Sequence, residues 1–358
     1  MPLAFRPFDP SKGLAAQREL FRDCFPEAVG QPAESEEHYR WKFQSAPGSL
    51  PAYEHVALLD GNLVGYYAAI PYRYRIGGRM VIAGMVCDVM TGTAARGKGV
   101  FTKLGAHALA QLQAAGIDLV TGYPIRPEVI PGHLKVGWSI VAKLPVYVKV
   151  VRTDALLSRY RLGLLAPLAN LAVSLSSRIA ALGGASGYTA KEISIEDLLT
   201  AAWYPQFLEQ WMASVRNALC KEAPFMRWRL GAPGTNYRIF LAQTSIGEPV
   251  GVCVARSTLL HGLPTMAVLD LMLLPRHTAA FRAIDGQLLR CARILKCELI
   301  ATMISAAHAR RYGFCRALYL KSPHVFSFIV KRLSPAVKDR EVLLPEMWHT
   351  MWIDSDDL

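Results

Sequence analysis

The sequence predicts an α/β fold in which one unit, a mixed β-sheet flanked by helices, occurs twice in tandem. Two observations carry this prediction. In residues 85–104 (MVCDVMTGTAARGKGVFTKL) an apolar, β-branched run leads through a basic glycine loop into a helical pattern. The order of motifs in the first half of the chain also recurs in the second half. With 358 residues, of which 52% are hydrophobic, the chain can build two cores.

The repeat consists of matching segments separated by nearly constant intervals. Trp41 and Trp228 stand 187 residues apart, each between basic residues (RWK and RWR), and an Ala-Pro-Gly turn follows each of them. We expect both tryptophans to have a packing role because both copies contain them. Asp270 likewise repeats Asp88, which precedes the glycine loop. In place of that loop the second copy has residues 275–281 (PRHTAAF), and without glycine we expect no phosphate site there.

The repeat and the segment between its copies divide the chain into four predicted parts. These are a glycine-loop domain at 1–150, an apolar helical insertion and linker at 151–195, a second copy at 196–335 and a C-terminal tail at 336–358.

The insertion contains an uncharged stretch. Residues 162–177 number 16, fewer than the roughly 20 that a membrane-spanning helix needs, and Pro167 interrupts them. We expect residues 156–182 to form a helix packed on the domains, with a peripheral membrane contact as the less favoured alternative. Residues 183–187 (GGASG) are typical of a flexible linker. The acidic end of the tail, residues 352–358, is expected to fray, with carboxylates placed at a cleft as the less favoured alternative.

The charge and cysteine content of the chain limit its partners. The formal net charge is +12, and residues 276–340 hold 13 Lys or Arg against three acidic residues. We interpret this region as a solvated basic face, and the sequence lacks the helix-turn-helix, zinc-finger and RNP motifs of a nucleic-acid partner. Seven scattered cysteines without a CxxC pair, and a start without a secretion signal, predict a cytoplasmic protein without a metal site.

The glycine loop predicts a site for a phosphate-bearing ligand. Glycines let the backbone approach closely, and amides at a helix N-terminus point at phosphate oxygens. Residues 92–98 (GTAARGK) fit the first seven positions of the P-loop, but Gly99 stands where that loop needs Ser or Thr to hold magnesium. The third glycine of a dinucleotide-binding fingerprint is also missing. Both nucleotide-binding alternatives are therefore disfavoured.

The loop instead resembles the R-x-x-G-x-G/A motif that binds the acyl-CoA pyrophosphate in the GNAT N-acetyltransferases, with Arg96 first and Gly99 fourth. The context agrees, because a strand (81–90) precedes the loop and a helix (100–115) follows it. Residues 133–138 (HLKVGW) resemble the family's Tyr-x-Lys-x-Gly-Phe segment. The tandem arrangement is similar to the enhanced-intracellular-survival type, in which a degenerate GNAT domain follows an active one. The resemblance implies two GNAT-like domains with partly splayed sheets.

The resemblance also implies a reaction and its cosubstrate. The first copy would transfer an acyl group, expected to be acetyl, directly from acetyl-CoA to the amine of a small molecule, and the second would wall the acceptor cleft. A long-chain N-acyl amino acid synthase, an aminoacyl transferase on the same fold and a non-catalytic acyl-CoA-binding protein are the alternatives. The implied cosubstrate contacts are Val89, Met90, Thr91, Arg96, Gly97, Lys98, Gly99, Val100, Phe101 and Thr102.

Two residues are candidates for proton transfer. His133 stands where the family has the tyrosine that protonates the CoA thiolate, and an imidazolium donates a proton near neutral pH. Tyr123 and Tyr147 are substitutes for this role. Asp88 is the candidate base, with a structural hydrogen-bonding role as the favoured alternative because Asp270 repeats it. The chain departs from the family motif at Phe101, which stands at its final Gly/Ala position.

Overall fold

A computed structural model describes residues 3–182 and 187–356, and for residues 178–182 it describes the backbone alone. The predicted linker therefore lies outside the described residues except for Gly187. The described residues contain thirteen strands: β1 Leu3–Pro7, β2 Tyr53–Leu59, β3 Asn62–Ile76, β4 Arg79–Thr91, β5 Leu119–Gly122, β6 Ser139–Val150, β7 Tyr188–Ile193, β8 Asn217–Leu219, β9 Tyr237–Thr244, β10 Pro249–Leu260, β11 Leu263–Leu273, β12 Leu299–Met303 and β13 Leu320–Arg332.

Helices flank the strands in both halves. Within the described part of the chain they are α1 Pro10–Cys24, α2 Glu36–Tyr39, α3 Val100–Ala114, α4 Ile130–Lys135, α5 Asp154–Arg159, α6 Ala166–Leu182, α7 Ile195–Thr200, α8 Tyr204–Ser214, α9 Ala223–Leu230, α10 Phe281–Ile294, α11 Ala306–Arg311 and α12 Asp339–Val342. A π-helical turn, Arg40–Gln44, continues α2. The predicted fold class, mixed sheets with flanking helices in two copies, is confirmed.

The strands form one continuous sheet, in the order β1-β2-β3-β4-β5-β13-β6-β12-β11-β10-β9-β7, with β8 paired to β3. Strand β6, which the sequence analysis assigned to the first copy, pairs with β12 of the second copy. Strand β13 of the second copy reciprocally pairs with β5 of the first. The two copies therefore exchange one strand each, and β6 and β13 cross the predicted boundary between the domains.

The two faces of this sheet are covered differently. On one face, a single hydrophobic core runs through both copies, from α1 and α2 to α8 and α9. On the opposite face, α3 covers the first copy and α10 covers the second, each with a separate core. Strand residues alternate between the faces, as the two-residue period of a strand requires. The two copies thus share the hydrophobic core on one face of the sheet and have separate cores on the other face.

The repeated tryptophans lie at the junction between the copies. The rings of Trp41 and Trp228 stack with their centroids 5.1 Å apart. Each indole N–H donates to the backbone carbonyl of the other tryptophan, at 2.8 Å from Trp41 and 2.9 Å from Trp228. This reciprocal pair satisfies both indole N–H donors. The two tryptophans therefore pack on each other, in agreement with the packing role predicted for them.

The C-terminal tail is packed rather than frayed through residue 355. Trp352, Ile353, Asp354 and Ser355 are all buried, and the turn that they form packs on β11. The expectation of a frayed end was wrong for these residues because Trp352 and Ile353 supply apolar surface to the core.

The apolar insertion is helical, but its leucines face solvent. Helix α6 is anchored through Asn170, whose side chain accepts from the N–H and hydroxyl of Thr153 at 2.8 and 2.9 Å. Leu168, Leu171 and Leu175 are all exposed. The segment is thus a helix that packs on its neighbours, as expected, but through its small and polar residues rather than through its leucines. In the described part of the chain, no helix is long and apolar enough to cross a membrane.

Candidate acyl-CoA site

The glycine loop adopts the conformation that its glycines allow. Gly97 and Gly99 both have φ 75°, in the left-handed region that residues with a Cβ rarely adopt. Residues 96–99 are all exposed. Asp23 of α1 holds the start of the loop, because its carboxylate accepts from the N–H and the hydroxyl of Thr93, both at 2.9 Å. These bonds lower the pKa of Asp23 and keep it ionised.

Helix α3 begins directly after the loop. Gly99 is its N-cap residue, and Lys103 is the first to donate its amide back, to the carbonyl of Gly99 at 3.1 Å. The amides before Lys103 therefore project from the helix end, where the helix dipole favours an anion. The Thr102 hydroxyl also donates to the Gly99 carbonyl, at 3.1 Å. The exposed Lys98 adds positive charge beside these amides.

Phe101 turns away from the loop. A Cβ on Gly132 would lie 2.5 Å from the Phe101 ring, so the ring rests directly against the backbone of α4. Its centroid also lies 5.1 Å from that of His133. The bulk that departs from the family motif is therefore accommodated by a glycine in α4, and it leaves the anion site open.

The sheet splays next to the loop. Parallel pairing of β4 with β5 ends at Val86 and Gly122, while β4 continues to Thr91. Beyond this point β4 contains a bulge, with Asp88 at φ 47°. Of the other predicted cosubstrate contacts on this strand, Val89 faces the space between the strands, whereas Met90 is buried in the core.

A cavity of about 400 Å³ opens where the strands separate. It is walled by α1, the end of β4, the segment after β5 and the tail. Its apolar lining residues include Phe21, Phe25, Val86, Val89, Ile125, Val129 and Ile329; its charged ones are Arg18, Glu27, Lys42, Asp88, Arg126 and Asp356. Three cations and three carboxylates thus line a largely apolar space of the size that binds small molecules.

His133 lines this cavity but lacks the ionisation that was assigned to it. Its ring is buried, with the centroids of Phe101 and Trp138 5.1 and 5.2 Å away. Burial lowers its pKa to about 4. The imidazole is therefore neutral at pH 7, because the apolar rings exclude the water that would stabilise the charge, and this environment disfavours the predicted proton donation by an imidazolium.

The substitutes for His133 do not take its place. Tyr123 lines the cavity, but its hydroxyl is buried, and burial raises its pKa well above the ordinary value. Its ring stacks on Phe328 of β13. Tyr147 lies on β6 against Phe314 of the second copy. Tyr123 therefore lacks the exposure of a proton donor, and Tyr147 does not line the cavity.

Asp88 is held in an ion pair that the sequence analysis missed. Lys42, in the π-helical turn, donates to Asp88 at 2.8 Å and to Asp356 of the tail at 2.7 Å. Burial acts to lower the pKa of Lys42, but Asp356 and Asp88 together raise it well above its ordinary value. The structural role of Asp88 is thus favoured over that of a base. Its repeat, Asp270, is likewise paired, with Lys221 at 2.5 Å.

A second cavity of about 410 Å³ adjoins the first. Ala33, His38, Lys42 and Asp356 line both, and the rest of its wall comes mainly from residues of the second copy between Trp228 and Thr258. The two cavities together therefore form a cleft that leads from the splayed strands to the junction of the copies. Asp356 stands where they meet.

In the second copy the corresponding region is closed. Strand β11 also leaves its parallel partner β12 two residues before Asp270, at Val268. Asp270 and Lys221 have no exposed side-chain surface there. The helical turn Pro275–Ala280 replaces the glycine loop. Among the described residues no group of three or more potential metal ligands is found.

The first copy thus combines a mixed sheet, which splays beside the glycine loop, with a helix that begins at that loop. Residues 10–141 match the profile of the acetyltransferase (GNAT) domain. The first copy is therefore similar to the GNAT domain, and the chain has a tandem GNAT-like fold. A search of curated protein sequences found no match.

Solved structures agree on the fold at low sequence identity. A GCN5-related N-acetyltransferase from Anabaena variabilis has a TM-score of 0.65 and 12% identity, over 93% of this chain and 73% of that chain. N-myristoyltransferase of Saccharomyces cerevisiae with bound myristoyl-CoA has a TM-score of 0.61 and 11% identity, over 93% and 80%. A tandem GNAT protein from the clavulanic acid biosynthesis pathway has a TM-score of 0.58 and 13% identity, over 93% and 99%. The similarity to the enhanced-intracellular-survival subtype stays a prediction.

Proposed function

We propose that the chain is an acyl-CoA-dependent N-acyltransferase whose first copy transfers an acetyl group from acetyl-CoA to the amine of a small molecule. The observation that supports this most is the position of the glycine loop beside the splayed strands. His133, in the cavity wall, touches Phe101 in the first turn of α3. A cosubstrate with its pyrophosphate on the α3 amides can therefore extend its thioester arm into the cavity.

The chain's own residues supply the steps of this transfer. The amides at the start of α3 and Lys98 bind the pyrophosphate, and the backbone of β4 beyond Val86 is available to the amide groups of the pantetheine arm. The acceptor amine, in the cleft, attacks the thioester carbonyl. A C–N bond forms, the C–S bond breaks, the amine loses a proton and the CoA thiolate gains one.

We assign the acceptance of the amine proton to Asp356. Both Asp356 and Asp88 are paired with Lys42, but the Asp356 side chain lines both cavities and is 29% exposed, whereas that of Asp88 is 11% exposed. Replacement by Asn would remove the acceptor and lower kcat with acetyl-CoA binding unchanged. Glu27→Gln is the matched control, since Glu27 lines the first cavity and is paired with Arg126.

The binding site is tested by a matched pair of glycine variants. Gly97 and Gly116 have φ 75° and 82°, and no other atom lies within 4 Å of a Cβ at either position. Glutamate at either residue therefore strains the backbone similarly, but only Gly97→Glu places a negative charge at the proposed pyrophosphate site. We expect Gly97→Glu to weaken CoA binding by more than about tenfold in calorimetry.

In the same experiment Gly116→Glu should bind CoA as the unaltered protein does, although both variants lose similar stability. Equal affinity of Gly97→Glu and the unaltered protein would refute the site. Transfer itself is measured as release of free thiol from acetyl-CoA with a set of primary amines. CoA binding without thiol release would favour a non-catalytic acyl-CoA-binding protein.

A longer acyl donor is the second candidate. The apolar lining of the first cavity favours a longer acyl group, and it includes Phe21, Phe25 and Val129. A neighbouring structure in fold, the yeast N-myristoyltransferase, binds myristoyl-CoA. A series of thioesters from acetyl to myristoyl separates the candidates, because kcat/KM that rises with chain length would exclude acetyl as the preferred group.

A further inference from the structure

Helix α6 is oriented opposite to an ordinary surface helix. Among the α6 residues whose side chains are described, Ala166 and Ser177 are buried, and Asn170 bonds Thr153 and the first residue of α5, Asp154. The leucines of the same stretch, Leu168, Leu171 and Leu175, are exposed. A helix that packs to stabilise a soluble core buries its leucines instead. The sequence therefore sets the exposure of these leucines, because it places small and polar residues on the side of α6 that packs inward.

The exposed leucines form one continuous row. Leu164 is 97% exposed, and Leu168, Leu171 and Leu175 follow with 70%, 67% and 56%. Leu168, Leu171 and Leu175, spaced by three and four residues, lie on one side of α6, and Leu164 lies in the turn Gly163–Leu165 directly before the helix. A contiguous apolar surface of this kind, unlike scattered exposed leucines, marks a contact site.

The rim of this row is basic. Arg159 and Arg161 directly precede it and are exposed. Helix α6 also contacts the turn Cys315–Ala317, which follows α11 with its exposed Arg310 and Arg311. The nearest acidic side chain in the sequence, Asp154, is already bound to Arg152 at 2.9 Å.

The surface of the basic segment 276–340 is more positive than the composition of the segment indicates. Of its three acidic residues, Asp285 and Glu298 are buried, and Asp285 is paired with Lys149. Asp339 alone is exposed among them. Leucines bordered by arginines match the chemistry of an anionic lipid surface, in which acyl chains lie beneath negatively charged headgroups.

We propose that α6 docks the protein on an anionic membrane, with its axis in the plane of the surface and its leucine row in the acyl boundary. The helix does not cross the bilayer. The arginines on the rim bind the headgroups, and the polar inward face keeps its hydrogen bonds to the segment before α5. This is the peripheral contact that the sequence analysis placed second.

Sedimentation with vesicles tests the proposal on the full chain. Binding to phosphatidylcholine vesicles that contain phosphatidylglycerol should exceed binding to phosphatidylcholine alone, and it should fall as salt is raised. The double variant Leu168→Gln/Leu171→Gln should bind the anionic vesicles more than about tenfold more weakly. Because both side chains are exposed, its melting temperature should be unchanged.

Ile246→Gln/Ile294→Gln is the matched control, since these isoleucines are equally exposed elsewhere, at 81% and 73%. It should bind as the unaltered protein does. The proposal is overturned if the protein does not bind anionic vesicles, or if both double variants lose binding equally. It is also overturned if sedimentation equilibrium finds a dimer that the leucine variant alone dissociates while vesicle binding persists, because the row would then be an interface between copies.

Discussion

The His133 imidazole lies edge-on between two aromatic rings, and this environment decides its charge. Burial lowers its pKa from the ordinary 6.5 to about 4. The unfolded chain therefore binds a proton at this residue between pH 6.5 and 4, while the folded chain does not. The same is true of His55 and His308, whose pKa burial also lowers to about 4. The contribution of these three neutral imidazoles to folding stability is thus fully present above pH 6.5, and it is lost as the pH falls towards 4.

His133→Phe tests both the stability and the acid role. A phenyl ring keeps the edge contacts to Phe101 and Trp138 and cannot bind a proton. We expect the variant to keep its rate of thiol release at pH 7.5. Between pH 7.5 and 5 it should lose about 2 kcal/mol less unfolding free energy than the unaltered protein. Urea unfolding at both pH values measures this difference.

An unaltered pH dependence of stability in His133→Phe would contradict the buried neutral imidazole. A large loss of kcat at pH 7.5 would restore a catalytic role to His133. The matched control is His277→Phe, since His277 lies in the second copy, remote from the glycine loop in sequence, and is bonded to the Tyr188 hydroxyl.

Single residues could be predicted where their signal is local. Gly97 and Gly99 were found because a left-handed φ and an open helix end leave a readable pattern in four consecutive residues. The ion pairs of Lys42 could not be found in this way. Its partner Asp356 is 314 residues away, and only the fold brings the two together. In that segment the sequence pattern pointed to Trp41 between two basic residues, and Lys42 was interpreted only as one of those two.

Among the elements, β4 has the most consequences for the site. Its bulge places Asp88 in the left-handed region at φ 47°, where an aspartate is tolerated better than a branched residue. Lys42 then joins the bulge to the tail through Asp88 and Asp356. The side chain of Lys42 is 7% exposed, so the loss of its charge would leave two carboxylates without their shared partner.

Lys42→Met should therefore destabilise the protein by about 3 kcal/mol or more in urea unfolding, because a buried carboxylate would lose its counter-ion. Asp88→Asn added to it should recover part of the loss, since a neutral amide costs less to bury. The surface pair of Lys12 with Asp9 supplies the control: Lys12→Met should change stability by less than about 1 kcal/mol. Equal effects of the two lysine variants would mean that the Lys42 pair contributes no more than a surface contact.

The bounds of most elements near the site follow from the sequence. The predicted strand 81–90 and helix 100–115 correspond to Arg79–Thr91 and Val100–Ala114. Periodicity and glycine punctuation are local, so they identify these elements. The orientation of α6 could not be inferred from the same information. Which side of a helix is buried depends on its neighbours, and the anchor Asn170 looks like an ordinary polar residue in the sequence.

At the scale of the whole molecule, the two copies are not independent. Strands β6 and β13 pair with each other at the centre, and each completes the sheet of the opposite copy. One core extends along an entire face of the sheet. The repeat predicted two copies, but it could not predict the exchange, because β6 and β13 have the alternating pattern of any strand and their partners lie far away in the chain.

The exchange predicts that the glycine-loop domain cannot fold alone. In a fragment of residues 1–150, β5 would lose β13, β6 would lose both of its neighbours, and the core shared with α8 and α9 would be open to water. Unpaired strand edges beside exposed apolar surface lead to aggregation. We therefore expect this fragment to lack a cooperative unfolding transition and to bind no CoA in calorimetry.

Co-expression of residues 1–150 with residues 151–358 provides the matched control, because it restores every strand pair without the covalent connection. The two fragments should co-elute in size-exclusion chromatography and bind CoA with nearly the affinity of the full chain. A fragment of residues 1–150 that unfolds cooperatively and binds CoA unaided would contradict the exchange. In that case β6 could return to its own copy, and the second copy would be dispensable for the cosubstrate site. If the fragments bind CoA only together, the second copy is required for that site to form, although its own region around Asp270 is closed.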